Sequence, residues 1–70
     1  MIKVGQIYKT PSGSRYIITY MGMYNIYLLY NSGYSMDYSL SSMKKNHDDK
    51  LIAEYPTWQE AVNSKEFNNK

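Results

Sequence analysis

Residues Arg15 to Tyr30 read RYIITYMGMYNIYLLY, a long run of aromatic and β-branched side chains broken only at Gly22. Side chains of this kind suit the pleated, half-buried surface of a sheet. One break in so long a run predicts a strand over Arg15–Met21, a tight turn or bulge at Gly22, and a strand over residues 24–30. Regular alternation places Tyr16, Ile18 and Tyr20 on one face of the first strand, and Ile17, Thr19 and Met21 on the other. In the second strand Tyr24, Ile26, Leu28 and Tyr30 share a face, opposite Tyr27 and Leu29. This strand is apolar on both sides, the pattern of a central strand in a curled sheet whose two faces each meet another layer.

Before the hairpin, residues 6–10 read as a further strand with Ile7 or Tyr8 facing inward. Pro11-Ser12-Gly13-Ser14 then supplies a turn, because proline presets φ and glycine tolerates positive φ. After the hairpin, Asn31-Ser32-Gly33 is a loop, and Tyr34, Met36, Tyr38 and Leu40 alternate with Ser35, Asp37 and Ser39. That alternation predicts a strand with one buried face and one wet face. Ser39 is placed to cap a short helical turn reaching Lys45, with Leu40 and Met43 pointing inward. Residues 46–49 form a polar loop and residues 50–55 a brief last strand. Thr57 and Glu60 have capping-box spacing, so a helix is expected from Trp58 to about Lys65. Trp58, Ala61, Val62 and Lys65 lie along one stripe of it. Two or three turns are marginal alone, so Trp58 and Val62 must dock on the sheet. Asn68-Asn69-Lys70 should fray.

Residues 1–70 thus read as one domain, β-rich over 4–55 with a C-terminal helix over 57–66. The expected fold class is mainly β with a C-terminal helix (α+β), as a small strongly bent antiparallel sheet or SH3-like barrel. The second arrangement is an open antiparallel sheet with the helix across one face.

Composition narrows the function classes. Seventy residues bury only about 60% of their unfolded surface, so the core is thin. The absence of cysteine excludes disulfides and thiolate metal sites, and suits a reducing cytoplasm. No apolar run reaches signal-peptide length or the roughly 20 residues of a membrane span. A soluble cytoplasmic protein without membrane attachment is expected. The net charge of +2 does not by itself imply nucleic acid. Nine tyrosines and five methionines are too many for so small an interior, so several must meet water or a partner. Tyr and Met are the raw material of interfaces, since they bury large areas at modest entropic cost. The faces expected to bind a protein are Tyr27 with Leu29, and Ile17 with Met21. An exposed edge strand could also drive homodimerisation.

Chemistry-bearing residues are sparse. His47 is the only histidine and is flanked by Asp48 and Asp49. No second cluster completes a metal site or a proton relay with it, so it reads as a polar loop. Ser12, Ser14, Ser32, Ser41 and Ser42 fall in turns or helix starts, and no base oriented by a third group serves them. Gly13, Gly22 and Gly33 are spaced as turn residues, not as a phosphate loop. Neither an enzyme nor a cofactor is expected. The alternative is a small nucleic-acid-binding β domain using Tyr8, Lys9, Arg15 and Tyr16 around the first hairpin, with Lys44 and Lys45 as a second basic spot. Asp37, Asp48, Asp49 and Glu54 dilute that field.

The layout also resembles known proteins. Val4-Gly5-Gln6-Ile7-Tyr8, Gly13-Ser14-Arg15-Tyr16, the Gly33 hairpin and Tyr55-Pro56-Thr57-Trp58-Gln59-Glu60-Ala61 look like small accessory proteins of phages, prophages and mobile elements of Gram-positive bacteria. Some of these bind and inhibit a host enzyme or defence component. The resemblance implies a non-enzymatic interaction module acting on a host protein in the host cytoplasm, and it implies no catalytic or ligand residue.

Overall fold

A computed structural model describes residues 1–68. Its five strands are β1 (Gln6–Lys9), β2 (Arg15–Met21), β3 (Asn25–Tyr30), β4 (Ser35–Ser39) and β5 (Lys50–Glu54). They form one antiparallel sheet in the order β4-β3-β2-β1-β5. Helix α1 (Leu40–Lys45) joins β4 to β5, and α2 (Trp58–Val62) and α3 (Lys65–Asn68) follow β5.

The middle strand, β2, decides the architecture. Its consecutive residues Tyr16, Ile17 and Ile18 are all buried, with exposures of 1%, 0% and 0%. Neighbouring residues on a strand point to opposite faces, so both faces of the sheet must be covered here. On one face Tyr16 and Ile18 pack with Ile26, Leu28 and Met43, beneath α1 and the N-terminal residues Ile2 and Val4. On the other, Ile7 and Ile17 pack with Ala61 and Phe67, flanked by Leu29, Ala53, Tyr55, Trp58 and Val62.

This arrangement corrects the SH3-like and strongly bent expectation. The sheet is neither closed nor strongly curled, and β4 and β5 lie at opposite edges. A barrel turns one side of every strand inward and the other to solvent. Here helices cover the sheet from both sides, so closure is not needed to bury it. β3, expected as a central strand, is interior, between β4 and β2, and the middle of the sheet is β2.

The helix expected as one piece after Thr57 is two. The Thr57 hydroxyl accepts from the Glu60 N–H at 3.2 Å and starts α2, as its capping-box spacing implies. Asn63 caps the other end, and Ser64 restarts the chain by accepting from Phe67 N–H at 3.3 Å. The break swings Phe67 under the sheet, where one continuous helix would not place it. Of the segment expected to fray, residues 69 and 70 lie outside the described residues. Asn68 donates to the carbonyls of Val62 and Ser64 at 2.7 and 2.9 Å.

The N-terminal arm is tied down by Gln6, whose side chain is 2% exposed and fully partnered. Its oxygen accepts from Lys3 N–H and the Tyr8 hydroxyl, each at 2.9 Å, and its nitrogen donates to the Met1 carbonyl at 2.8 Å. Gly5, at φ +96°, bridges two strands: its N–H donates to Ile18 and its carbonyl accepts from Tyr55 N–H. A Cβ at Gly5 would collide with the Tyr55 carbonyl oxygen. Gly5→Ala should therefore cost about 2 kcal/mol or more, from the positive φ and the collision together. Urea unfolding checks this, and an unchanged midpoint would contradict it.

Candidate interaction surface

The surface beyond the core is set by one extra residue. β2 and β3 pair in regular register from Tyr16↔Tyr30 to Ile18↔Leu28, and then resume at Tyr20↔Tyr27 and Met21↔Ile26. Thr19 is the unpaired residue of a bulge, and its hydroxyl donates to the Tyr27 carbonyl at 3.3 Å. A bulge exchanges the faces of everything after it. Tyr20, expected beside Tyr16 and Ile18, instead joins Tyr27 on the face of α2 and α3, with ring centroids 5.3 Å apart. Met21, expected beside Ile17, joins Ile26 on the face of α1.

Met21 there lines a cleft of about 420 Å³ with Met1, Ile2, Tyr8, Met43, Lys44 and Asn46. Met43 forms its buried floor, and the arm held by Gln6 forms one wall. Across Lys44 lies a second hollow of about 300 Å³, lined by Met23, Tyr24, Ser39, Leu40 and Ser41 as well as Lys44. Met21 at the end of β2, and Met23 and Tyr24 in the turn that follows, are thus 37%, 79% and 80% exposed. Ser39 caps α1 by accepting from Ser42 N–H, and Leu40 N–H donates to the Tyr24 carbonyl, so the hollow has a fixed wall.

Of the two pairs expected to form interfaces, Tyr27 and Leu29 share a face of β3, and Ile17 and Met21 do not share one. Ile17 is wholly buried under α2 and cannot reach a partner. Leu29 is half-buried against the same cluster. Tyr27 and Met21 are exposed, but on opposite faces. Reading β2 as unbroken alternation produced the grouping of Ile17 with Met21, and the bulge removes it. Met23 and Tyr24 were overlooked as surface, although a turn reading Met-Gly-Met-Tyr is itself a signal. Turns ordinarily carry small polar residues.

The residues of the nucleic-acid alternative are also divided. Tyr8 and Tyr16 stack at 5.5 Å on the α1 face, but Tyr16 is buried and presents no ring to a base. Lys9 and Arg15 follow Ile7 and precede Ile17 on the opposite face. Lys44 and Lys45 are exposed in the last turn of α1.

The hydroxyl of Tyr16 donates to the Asp49 carboxylate at 2.7 Å, and Asn46 Nδ2 donates to the same oxygen at 2.9 Å. Asp49 thereby fastens the loop after α1 to the sheet. His47 and Asp48 beside it are exposed. Among the described residues no three His, Asp or Glu side chains gather where they could hold a metal ion. The hydroxyls of Thr10 and Ser12 bond each other, as do those of Ser39 and Ser41, and Ser64 donates to the Ala61 carbonyl. No helix of the described residues is long and apolar enough to cross a membrane. No family model, curated protein or solved structure matches the chain.

Burial, then the bond to Asp49, keeps the Tyr16 hydroxyl protonated well above the 10.0 usual for tyrosine. The unfolded chain releases this proton near 10 and the folded chain retains it. The stabilisation is therefore intact below pH about 10 and is lost as pH rises beyond it. Tyr16→Phe should cost about 1–2 kcal/mol at neutral pH, the worth of a hydrogen bond to a half-exposed charge. The same variant should also show a shallower fall of stability above that pH. Urea titrations over a pH series check both, and a slope equal to that of the parent would contradict the assignment.

Proposed function

We propose that this protein is a non-enzymatic interaction module that binds a protein partner through the β2–β3 turn and the cleft beside α1. One observation carries the reading: Met21, Met23 and Tyr24 stand exposed together around two adjoining hollows. Leaving a side chain of this size uncovered forgoes about 1.5–3 kcal/mol relative to burying it. Apolar side chains scattered singly need no explanation, but a contiguous group marks a surface that something covers. Methionine is unbranched and polarisable, so it moulds to a partner, and tyrosine supplies a rigid, amphipathic anchor. Lys44, between the hollows, gives the rim a charge.

The partner is a host protein, or a second copy of the chain. The first follows the resemblance to phage and mobile-element accessory proteins, with binding that inhibits the target in the host cytoplasm. The lack of cysteine supports that compartment.

A photo-crosslinking residue in place of Met23, in cells producing the full chain, tests the reading. A discrete adduct is expected, absent when the crosslinker replaces the distant exposed Ser32. An adduct of twice the chain mass identifies a homodimer and any other mass a host partner. Adding Tyr24→Ser should abolish the adduct while changing stability by less than about 0.5 kcal/mol. No adduct from Met23, or the same adducts from Ser32, would contradict the proposal.

A further inference from the structure

Lys9 stands directly opposite Arg15 on β2 and directly opposite Lys50 on β5. Cross-strand partners share a face, and adjacent strands lie about 4.8 Å apart. The three cations therefore form a row about 10 Å long across β2, β1 and β5, at the end of the sheet far from the β2–β3 turn. Lys9 and Lys50 are exposed and Arg15 is half-buried. Arg15 is held in place by donating from Nη1 to the Glu66 carbonyl.

Like charges directly opposite one another destabilise a sheet. Among the described residues the one ion pair is Lys3–Glu54, at 2.9 Å, and it includes none of the three. Asp49, next to Lys50 in the chain, is turned to the other face by Tyr16 and Asn46. Glu66 carries a carboxylate close enough to Arg15 for the guanidinium to favour its charged form, so it offsets Arg15 in part while accepting from the Tyr55 hydroxyl. Lysine on an edge strand blunts unwanted pairing, which accounts for Lys50. It does not account for Lys9 and Arg15, because β1 and β2 are interior strands.

We infer that the Arg15–Lys9–Lys50 row is a binding site for the phosphate groups of a linear polyanion. Arginine offers a planar fork for phosphate oxygens and the two lysines act as point charges along the same line. The β1–β2 turn joining Lys9 to Arg15 adds the hydroxyls of Thr10 and Ser12. The row uses charge alone and no stacking ring, so it selects regularly repeated charge over base identity.

Titration of the isotope-labelled full chain with inorganic triphosphate, and separately with a short single-stranded DNA, tests this by amide shifts. Saturable shifts centred on Lys9, Arg15 and Lys50 are expected. For three contacts to a single strand, the logarithm of affinity should fall with the logarithm of salt at a slope of about −2. Lys9→Gln should flatten that slope by about 0.7, one contact's share. Without ligand the same variant should raise the unfolding midpoint, since it relieves the repulsion. Binding of triphosphate alone supports a free polyphosphate ligand, and binding of the oligonucleotide supports a nucleic-acid backbone. Polyglutamate binding as tightly would overturn phosphate in favour of an acidic protein. Loss of binding on Lys44→Gln with Lys45→Gln but not on Lys9→Gln would overturn the site, as would the absence of saturable shifts.

Discussion

The structure depends on burying one strand from both sides. Tyr16, Ile17 and Ile18 are consecutive in β2, so no single layer could cover them. Helix α1 and the N-terminal arm close one face, and α2 and α3 close the other. Truncating an isoleucine in such a position costs about 2–5 kcal/mol. That is a large share of the stability open to a chain of this size. The open sheet follows from this, because two covering layers bury it without any closure of its edges.

Two-sided burial ends at Thr19. The bulge there exchanges the faces of Tyr20 and Met21, and the covering elements do not extend over the turn that follows. Of the nine tyrosines, one is buried, four are half-buried and four are exposed. The half-buried rings Tyr8 and Tyr30 line up around Tyr16 at 5.5 and 5.2 Å, and so serve the core margin. Tyr24 has no such role and stands beside Met23 at the tip. The function proposed for the tip and the folding of the core are thus two consequences of one limit, the small reach of three short helices over a five-stranded sheet.

The parts of this fold legible in the sequence are those governed by neighbours along the chain. Ser39 and Thr57 cap helices because their hydroxyls meet backbone N–H groups three residues on. The span of β2 and the polar turns follow from propensity and glycine placement. The rest depends on partners far away in sequence. A bulge is a count of paired residues on two strands, and nothing in Ile-Ile-Thr-Tyr marks which residue is extra. That is why Ile17 and Met21 were grouped although they lie on opposite faces. The closed sheet was expected for a related reason: a strand apolar on both sides fits a curled sheet or a layered one, and only the docking of α2 and α3 separates them. Phe67 was missed as core because Ser64, read as helix interior, is in fact a new cap. The basic row was half visible, in Lys9 and Arg15, but the third cation required the pairing of β5.

The account turns on Met21 lying on the α1 face with Met23 at an uncovered tip, while Met43 lies beneath them. Methyl NMR of methionine-labelled protein with a soluble paramagnetic relaxation agent measures this directly. Strong broadening of Met23, intermediate broadening of Met21 and near-complete protection of Met43, with a contact between the Met21 methyl and its cross-strand neighbour Ile26, is the predicted result. A Met21 methyl that instead contacts Tyr27, or a Met23 methyl as shielded as that of Met43 in the dilute monomer, would contradict it.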